Sequence, residues 1–391
     1  MVRFRDCTYR TMHALKPQIT MFRHKRVHRI APAVAGVLSL TIAGCGTGIN
    51  SSSSSPTSPS GTIQSQSQPP TGPILGYVWD APSQSLRPIQ GLAGASIIGA
   101  ATISAPSQGT SFIATATSGV SGMALFLDAN GGIFQGSVTG GPLTKVGSVS
   151  GATSLILSNS GAYAVVTGKS ADGASMASVI SGLPTFPSAR NLNLASAASV
   201  FGAAASDTGT VALATGSSHG DVSIVAFVGQ AAGAQVATTQ VFGGMQFVPN
   251  SDELVVADGG SGVLTAITRV NTTPSSSALS PAGSITAPVA LDITSNGRWV
   301  VAANHNGDVL RIDLTGVAAA TKMHCSCAPG QVLALNGSAN GAGAATTVRL
   351  VTAAGGPLWI VDAGNASPRV LFIPAITTTG TLPTLIPKSA M

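Results

Sequence analysis

Four groups of residues in this 391-residue chain have types and spacings that could do chemistry. Gly216-Ser217-Ser218-His219-Gly220 matches the G-x-S-x-G pattern of a nucleophile elbow, where a serine stands on a strained strand-to-helix turn. The context disagrees, because the pattern lies between Leu213 and Val222 at a hairpin turn, where serine and glycine are ordinary. His219-Gly220-Asp221-Val222 recurs as His305-Asn306-Gly307-Asp308-Val309, so His219, Asp221, His305 and Asp308 are candidate loop residues in equivalent positions. Two imidazoles at one mouth would suit ligand binding or proton transfer, whereas turn preference alone accounts for the same residues. A metal site is not predicted: two histidines make an incomplete shell, and Glu253 is the only glutamate.

His324-Cys325-Ser326-Cys327 is the third group. Cys325 and Cys327 form a local disulfide if the chain bends there, a soft-metal pair with His324, or two small residues at a connection. An oxidising compartment ranks the disulfide first. The fourth group, Asp80, Asp128, Asp258 and Asp362, follows apolar runs at turn starts, where a carboxylate accepts turn amides; no spacing supports a catalytic carboxylate pair. No phosphate loop, zinc-finger spacing or calcium loop occurs, so no catalytic residue, cofactor or nucleotide is predicted.

The elements that must position these residues are short strands. Val289 to Leu314 reads as a three-stranded meander, turned at Ser295-Asn296-Gly297 and again at Asn304 to Gly307. The pattern recurs. Turn residues Gly161, Gly209, Asp252 and Gly297 each precede a large apolar residue by two, and looser copies stand at Gly109 and Gly343, with spacings of 52, 48, 43, 45 and 46 residues. A period in that range with several strands per period predicts an all-β fold, a β-propeller of four-stranded antiparallel blades. A single meander leaves one face and its edges bare, and stacking blades in a ring covers them.

Ile74 to Ile89 reads as a hairpin like Leu125–Val138 and Leu358–Ile373, both assigned to third and fourth strands. It is accordingly expected to be the outer half of a closing blade completed by residues after Pro374. That gives seven blades, or six if the hairpin only caps the ring.

The formal charge of +6 is unevenly placed. Residues 1–44 hold eight of the 19 basic residues and one of the 13 acidic ones, which leaves 11 basic against 12 acidic beyond them. Without a clustered positive surface, nucleic acid is excluded as a partner. From Met21, a basic stretch, the apolar run Ile30 to Ala43 and small residues have the layout of a secretory signal, and translation is expected to start at Met21. Leu40-Thr41-Ile42-Ala43-Gly44-Cys45 resembles the bacterial lipoprotein lipobox, which implies cleavage after residue 44 and lipidation of Cys45; a non-lipidated signal peptide or an uncleaved anchor is the alternative. Gly46, where lipoproteins kept at the inner membrane commonly carry Asp, resembles those sorted outward. Residues 45–73, rich in Ser, Pro and Gln, have little to bury and are expected to be a flexible tether, or a glycosylated stalk. The propeller is expected over residues 74–391.

Val255-Val256-Ala257-Asp258 and Val300-Val301-Ala302-Ala303-Asn304 with their glycine turns resemble the YVTN-type, lactonase-like propeller repeats, and Tyr77-Val78-Trp79-Asp80 is a degraded form of that motif. The resemblance implies a propeller whose second-to-third-strand loops, with His219 and His305, lie on the ligand-docking face. It does not imply lactone hydrolysis. The sequence therefore reads as a lipid-anchored extracytoplasmic propeller, at the periplasmic face or surface of an outer membrane. It would act as a binding or scaffolding module for an unidentified protein or small molecule, with a lactonase-like hydrolase as the alternative.

Overall fold

Apolar alternation over a few residues, broken repeatedly by Gly, Asn or Ser, produces short strands and tight turns. The computed structural model describes residues 72–106, 110–185, 187–195, 198–217, 221–335, 344–352 and 357–374. Among them the regular structure is 28 strands and one 3-10 turn, Ala344–Thr346. The strands form seven antiparallel sheets of four, so the protein is a seven-bladed β-propeller. Blades 1 to 7 occupy residues 74–104, 112–148, 152–191, 199–239, 242–278, 288–324 and 331–373.

Six blades pair their strands in simple chain order; in blade 1 the short strands Ala95–Ile98 and Ile103–Ser104 both pair with Ser85–Leu92. The first strands, which line the channel, are Ile74–Asp80, Phe112–Ser118, Ala152–Leu157, Ser199–Ala205, Phe242–Phe247, Pro288–Ile293 and Gln331–Ala334.

Each sheet has two apolar faces and buries both against its neighbours. Seven apolar clusters result, one at each interface. Leu127 of blade 2 and Leu155 of blade 3 share one; Val256 of blade 5 and Ala214 of blade 4 share another. Turn glycines set the spacing. Gly209, at φ 89°, lies so close to blade 3 that an added Cβ would stand 2.8 Å from the Tyr163 ring. A side chain there meets both a left-handed backbone and a neighbouring blade.

Ring closure differs from the sequence expectation. Ile74–Asp80 and Ser85–Leu92 are the first and second strands of blade 1, not its outer half, and the blade completes itself with residues 95–104. No described strand is exchanged between blades 1 and 7: the seam closes by side-chain packing of Leu75, Val78 and Ile89 on Leu335, Ile360 and Ile373, the smallest of the seven clusters. Gly76 allows the approach, since an added Cβ would lie 2.8 Å from Leu335 Cδ2. The supposed closing segment after Pro374 lies outside the described residues.

Two assignments within blades also shift. Leu125–Val138 covers the second and third strands of blade 2, while Leu358–Ile373 does hold the third and fourth of blade 7. Gly109, outside the described residues, precedes the first strand of blade 2, whose first turn instead contains Gly122 at φ 63°. The turns at Gly161, Gly209, Asp252 and Gly297 fall between first and second strands as expected, and Gly343 lies outside the described residues.

Candidate functional site

The first strands all run in the same sense along the channel and end at one face, where the first-to-second-strand turns begin. A cavity of about 150 Å³ opens among these strand ends. Leu155, Phe247, Ile293 and Leu333 give it apolar walls. Trp79, Gln246, Asp292 and Arg349 are among the polar-tipped side chains that line it.

Asp292 is buried near the end of the blade 6 first strand. Its Oδ1 accepts from Gln246 Nε2 of blade 5 at 3.0 Å and from the Ile293 amide at 2.7 Å; Oδ2 accepts from the Ala334 amide of blade 7 at 2.6 Å. One carboxylate therefore ties three consecutive blades. Burial dominates over these hydrogen bonds and pushes its pKa up to about 6.

Asp207 has a similar role nearer the rim: Oδ1 accepts from the Ser160 amide at 2.7 Å and Oδ2 from the Asn250 amide at 2.9 Å, spanning blades 3, 4 and 5. Arg349, on the second strand of blade 7 opposite Leu333, is different. Its Nε is buried without a hydrogen-bond partner, no carboxylate pairs with it among the described residues, and burial lowers its pKa to about 10, which leaves it charged at neutral pH. Trp79 packs edge-on against Phe112 and Phe126, with its Nε1 buried and likewise unpartnered.

The residues singled out by sequence lie elsewhere. His305 is exposed in the turn joining the second and third strands of blade 6. Asn304 pairs with Pro288 and Val300 with Ile293, so that turn stands beside the start of the first strand, about 13 Å along the channel from Asp292. Asp308 pairs not with His305 but with His324, Nδ1 to Oδ1 at 2.8 Å, and this hydrogen bond is the main cause of its lowered pKa. Asp221 is exposed at the matching turn of blade 4, and His219 lies outside the described residues. The strands flanking 216–220 are antiparallel neighbours, so the G-x-S-x-G segment joins a hairpin and lacks the strand-to-helix context of an elbow.

Cys325 and Cys327 are joined as a disulfide at the bend after Thr321–His324, against Gly307; a Cβ on Gly307 would stand 2.4 Å from the Cys325 carbonyl. Asp128 accepts from the amides of Asn130 at 2.8 Å and Gly132 at 2.7 Å, and Asp258 accepts from that of Gly260 at 3.0 Å, the turn role expected of them. Asp80 and Asp362 pair instead with Arg87 and Arg369. Among the described residues no group of three or more His, Cys, Asp or Glu is placed to hold a metal. Cys45 and the leader lie outside the described residues.

This geometry defines the class of protein, a seven-bladed β-propeller with a mixed apolar and polar cavity at one channel mouth. No family model matches the sequence, and no curated protein does. Among solved structures, a functionally unknown protein from Desulfotomaculum acetoxidans is similar in fold, with TM-score 0.51 and 13% identity over 76% of this chain and 98% of that one. The structure of a nidogen/laminin complex matches at TM-score 0.43 and 14% identity, over 64% of this chain and 92% of that one. The Swd1 β-propeller domain of Myceliophteria thermophila matches at TM-score 0.46 and 14% identity, over 66% and 86%.

Proposed function

We propose that the protein is a lipid-anchored, extracytoplasmic binding module whose propeller takes its ligand at the channel mouth where the first strands end. The observation that carries this is the cavity among Leu155, Phe247, Leu333, Asp292 and Arg349, concave, with apolar walls and convergent polar groups, the make-up of a small-ligand site. The lipobox-like residues 40–45 and the Ser/Pro-rich stretch to residue 73 support the anchor and tether. The glycine turns and Val-rich strands support a place among YVTN-type, lactonase-like propellers.

Two measurements test the proposal. Mass spectrometry of the N-terminal peptide is expected to find a lipid on Cys45, and Cys45→Ala is expected to release the chain from membranes. An unmodified N-terminus, or a chain that stays membrane-bound after Cys45→Ala, contradicts the anchor. Propeller hydrolysis is the second reading, favoured by a cavity carboxylate with a pKa of about 6. Turnover of a lactone or ester panel, lost in Asp292→Asn with the fold intact, would replace binding by catalysis.

A further inference from the structure

We infer that the cavity takes a small organic anion, a carboxylate on a compact apolar body, with Arg349 as its anchor. The inference rests on the binding reading above and adds the chemistry of what is bound.

The hydrogen-bonding inventory of the cavity carries it. The two carboxylates that line it are already engaged by main-chain and side-chain N–H groups: Asp292 takes three, and Asp207 takes an amide on each oxygen. Gln246 donates to Asp292 and accepts from the Phe247 amide at 3.1 Å, so its two ends are occupied as well. Of the other polar side chains lining it, Thr115, Thr117 and Asn159 can donate as well as accept, whereas Arg349 and Trp79 can only donate. Arg349 Nε and Trp79 Nε1 are buried and unpartnered, and both residues line the cavity. Tyr77 lines it too, and burial raises its pKa, so its hydroxyl stays protonated and able to donate.

A half-buried guanidinium with its Nε buried and no paired counter-charge is unfavourable, because desolvation penalises it and no ion pair among the described residues returns the loss. A ligand carboxylate would supply both the charge and a planar pair of acceptors, the geometry guanidinium matches best. At the Arg349 end of the cavity an amine would meet unfilled donors and a like charge. Size limits the rest. A cavity of about 150 Å³ holds a molecule the size of benzene, and the Leu155, Phe247, Ile293 and Leu333 walls would cover an apolar body of that volume.

The test is calorimetric titration of the full chain with benzoate, benzamide and benzylamine, three probes of one shape with anionic, neutral and cationic heads. Benzoate is expected to bind at least tenfold more tightly than benzamide, and benzylamine most weakly. Arg349→Gln is expected to remove the preference of benzoate over benzamide. Leu333→Trp, which fills the cavity while keeping Arg349 itself, is expected to weaken all three and keeps the test open if Arg349→Gln does not fold. Equal binding of benzoate and benzamide overturns the anion inference and leaves the cavity-binding reading standing. Absence of binding by all three overturns both.

Discussion

Gln246 Nε2 donates to Asp292 Oδ1 at 3.0 Å, joining the first strands of blades 5 and 6 where both residues stand second from the strand end. With the Ala334 amide on Oδ2, a carboxylate that burial penalises has become a clasp across three blades.

The clasp makes stability depend on pH. The folded pKa of about 6 stands above the ordinary 3.8, so between those values the folded chain holds the proton more tightly than the unfolded chain. Asp292 therefore contributes a loss of stability as pH rises from about 4 to about 6, equivalent to roughly 3 kcal/mol at most. Arg349 and Asp207 face the same cavity, and Asp313 and Asp258, whose pKa values are lowered, contribute with opposite sign at lower pH. The difference between wild type and Asp292→Asn isolates the group. Denaturant unfolding should show the variant less stable by about 1–3 kcal/mol at pH 4, since an amide cannot accept from all three donors, with the gap narrowing as pH rises to 7. A gap independent of pH would refute the assignment.

Arg311 clamps blade 6 to blade 7. Its Nη1 donates to the carbonyls of Ala363 at 2.8 Å and Asn365 at 2.9 Å, and its guanidinium lies 4.2 Å from the centre of the Trp299 ring. Arg298, paired with the inaccessible Asp313, lies 4.5 Å from the same ring. Arg311→Ala strips a partner from two carbonyls and a cation from the indole, and is expected to lower unfolding free energy by about 2–4 kcal/mol. Denaturant unfolding measures it, and a change below about 0.5 kcal/mol would show that the clamp adds nothing.

Gly209 and Gly173 have nearly the same backbone, at φ 89° and 84°, but only Gly209 abuts another blade, while Gly173 has open space around it. Gly173→Ala should cost about 1 kcal/mol through backbone strain alone. Gly209→Ala should cost about 2–4 kcal/mol, because Tyr163 must also move. Equal losses would mean that the blades are spaced more loosely than described.

The seam between blades 1 and 7 has the smallest apolar cluster and no shared strand among the described residues. Amide exchange is expected to be fastest at the strands facing that seam. Leu335→Ala should destabilise by about 2–5 kcal/mol and accelerate exchange there first. Uniform protection around the ring would place a closing contact elsewhere.

The sequence read well where apolar alternation and a glycine turn coincide. Trp299, Val301 and Ala303 alternate with Val300 and Ala302 between Gly297 and Gly307, and both faces of that strand are buried against adjacent blades. Blade 1 misled because Leu75, Tyr77, Leu86 and Ile89 have the same pattern in an inner hairpin as in an outer one, and strands of four and two residues show no periodicity. The cavity was the least legible part. Gln246 and Asp292 stand 46 positions apart, one repeat, which was a readable signal. A polar residue in a strand ordinarily reads as solvent-facing, however, and Arg349 within Thr347–Val351 reads the same way until seven blades close and turn that position inward.

The most direct test of the binding account is native mass spectrometry of the full chain extracted from its own membranes, wild type beside Leu333→Trp. Wild type is expected to carry a small molecule that the filled cavity of the variant no longer retains. The same adduct on both proteins, or none on the wild type, would contradict the channel mouth as the place where this protein binds.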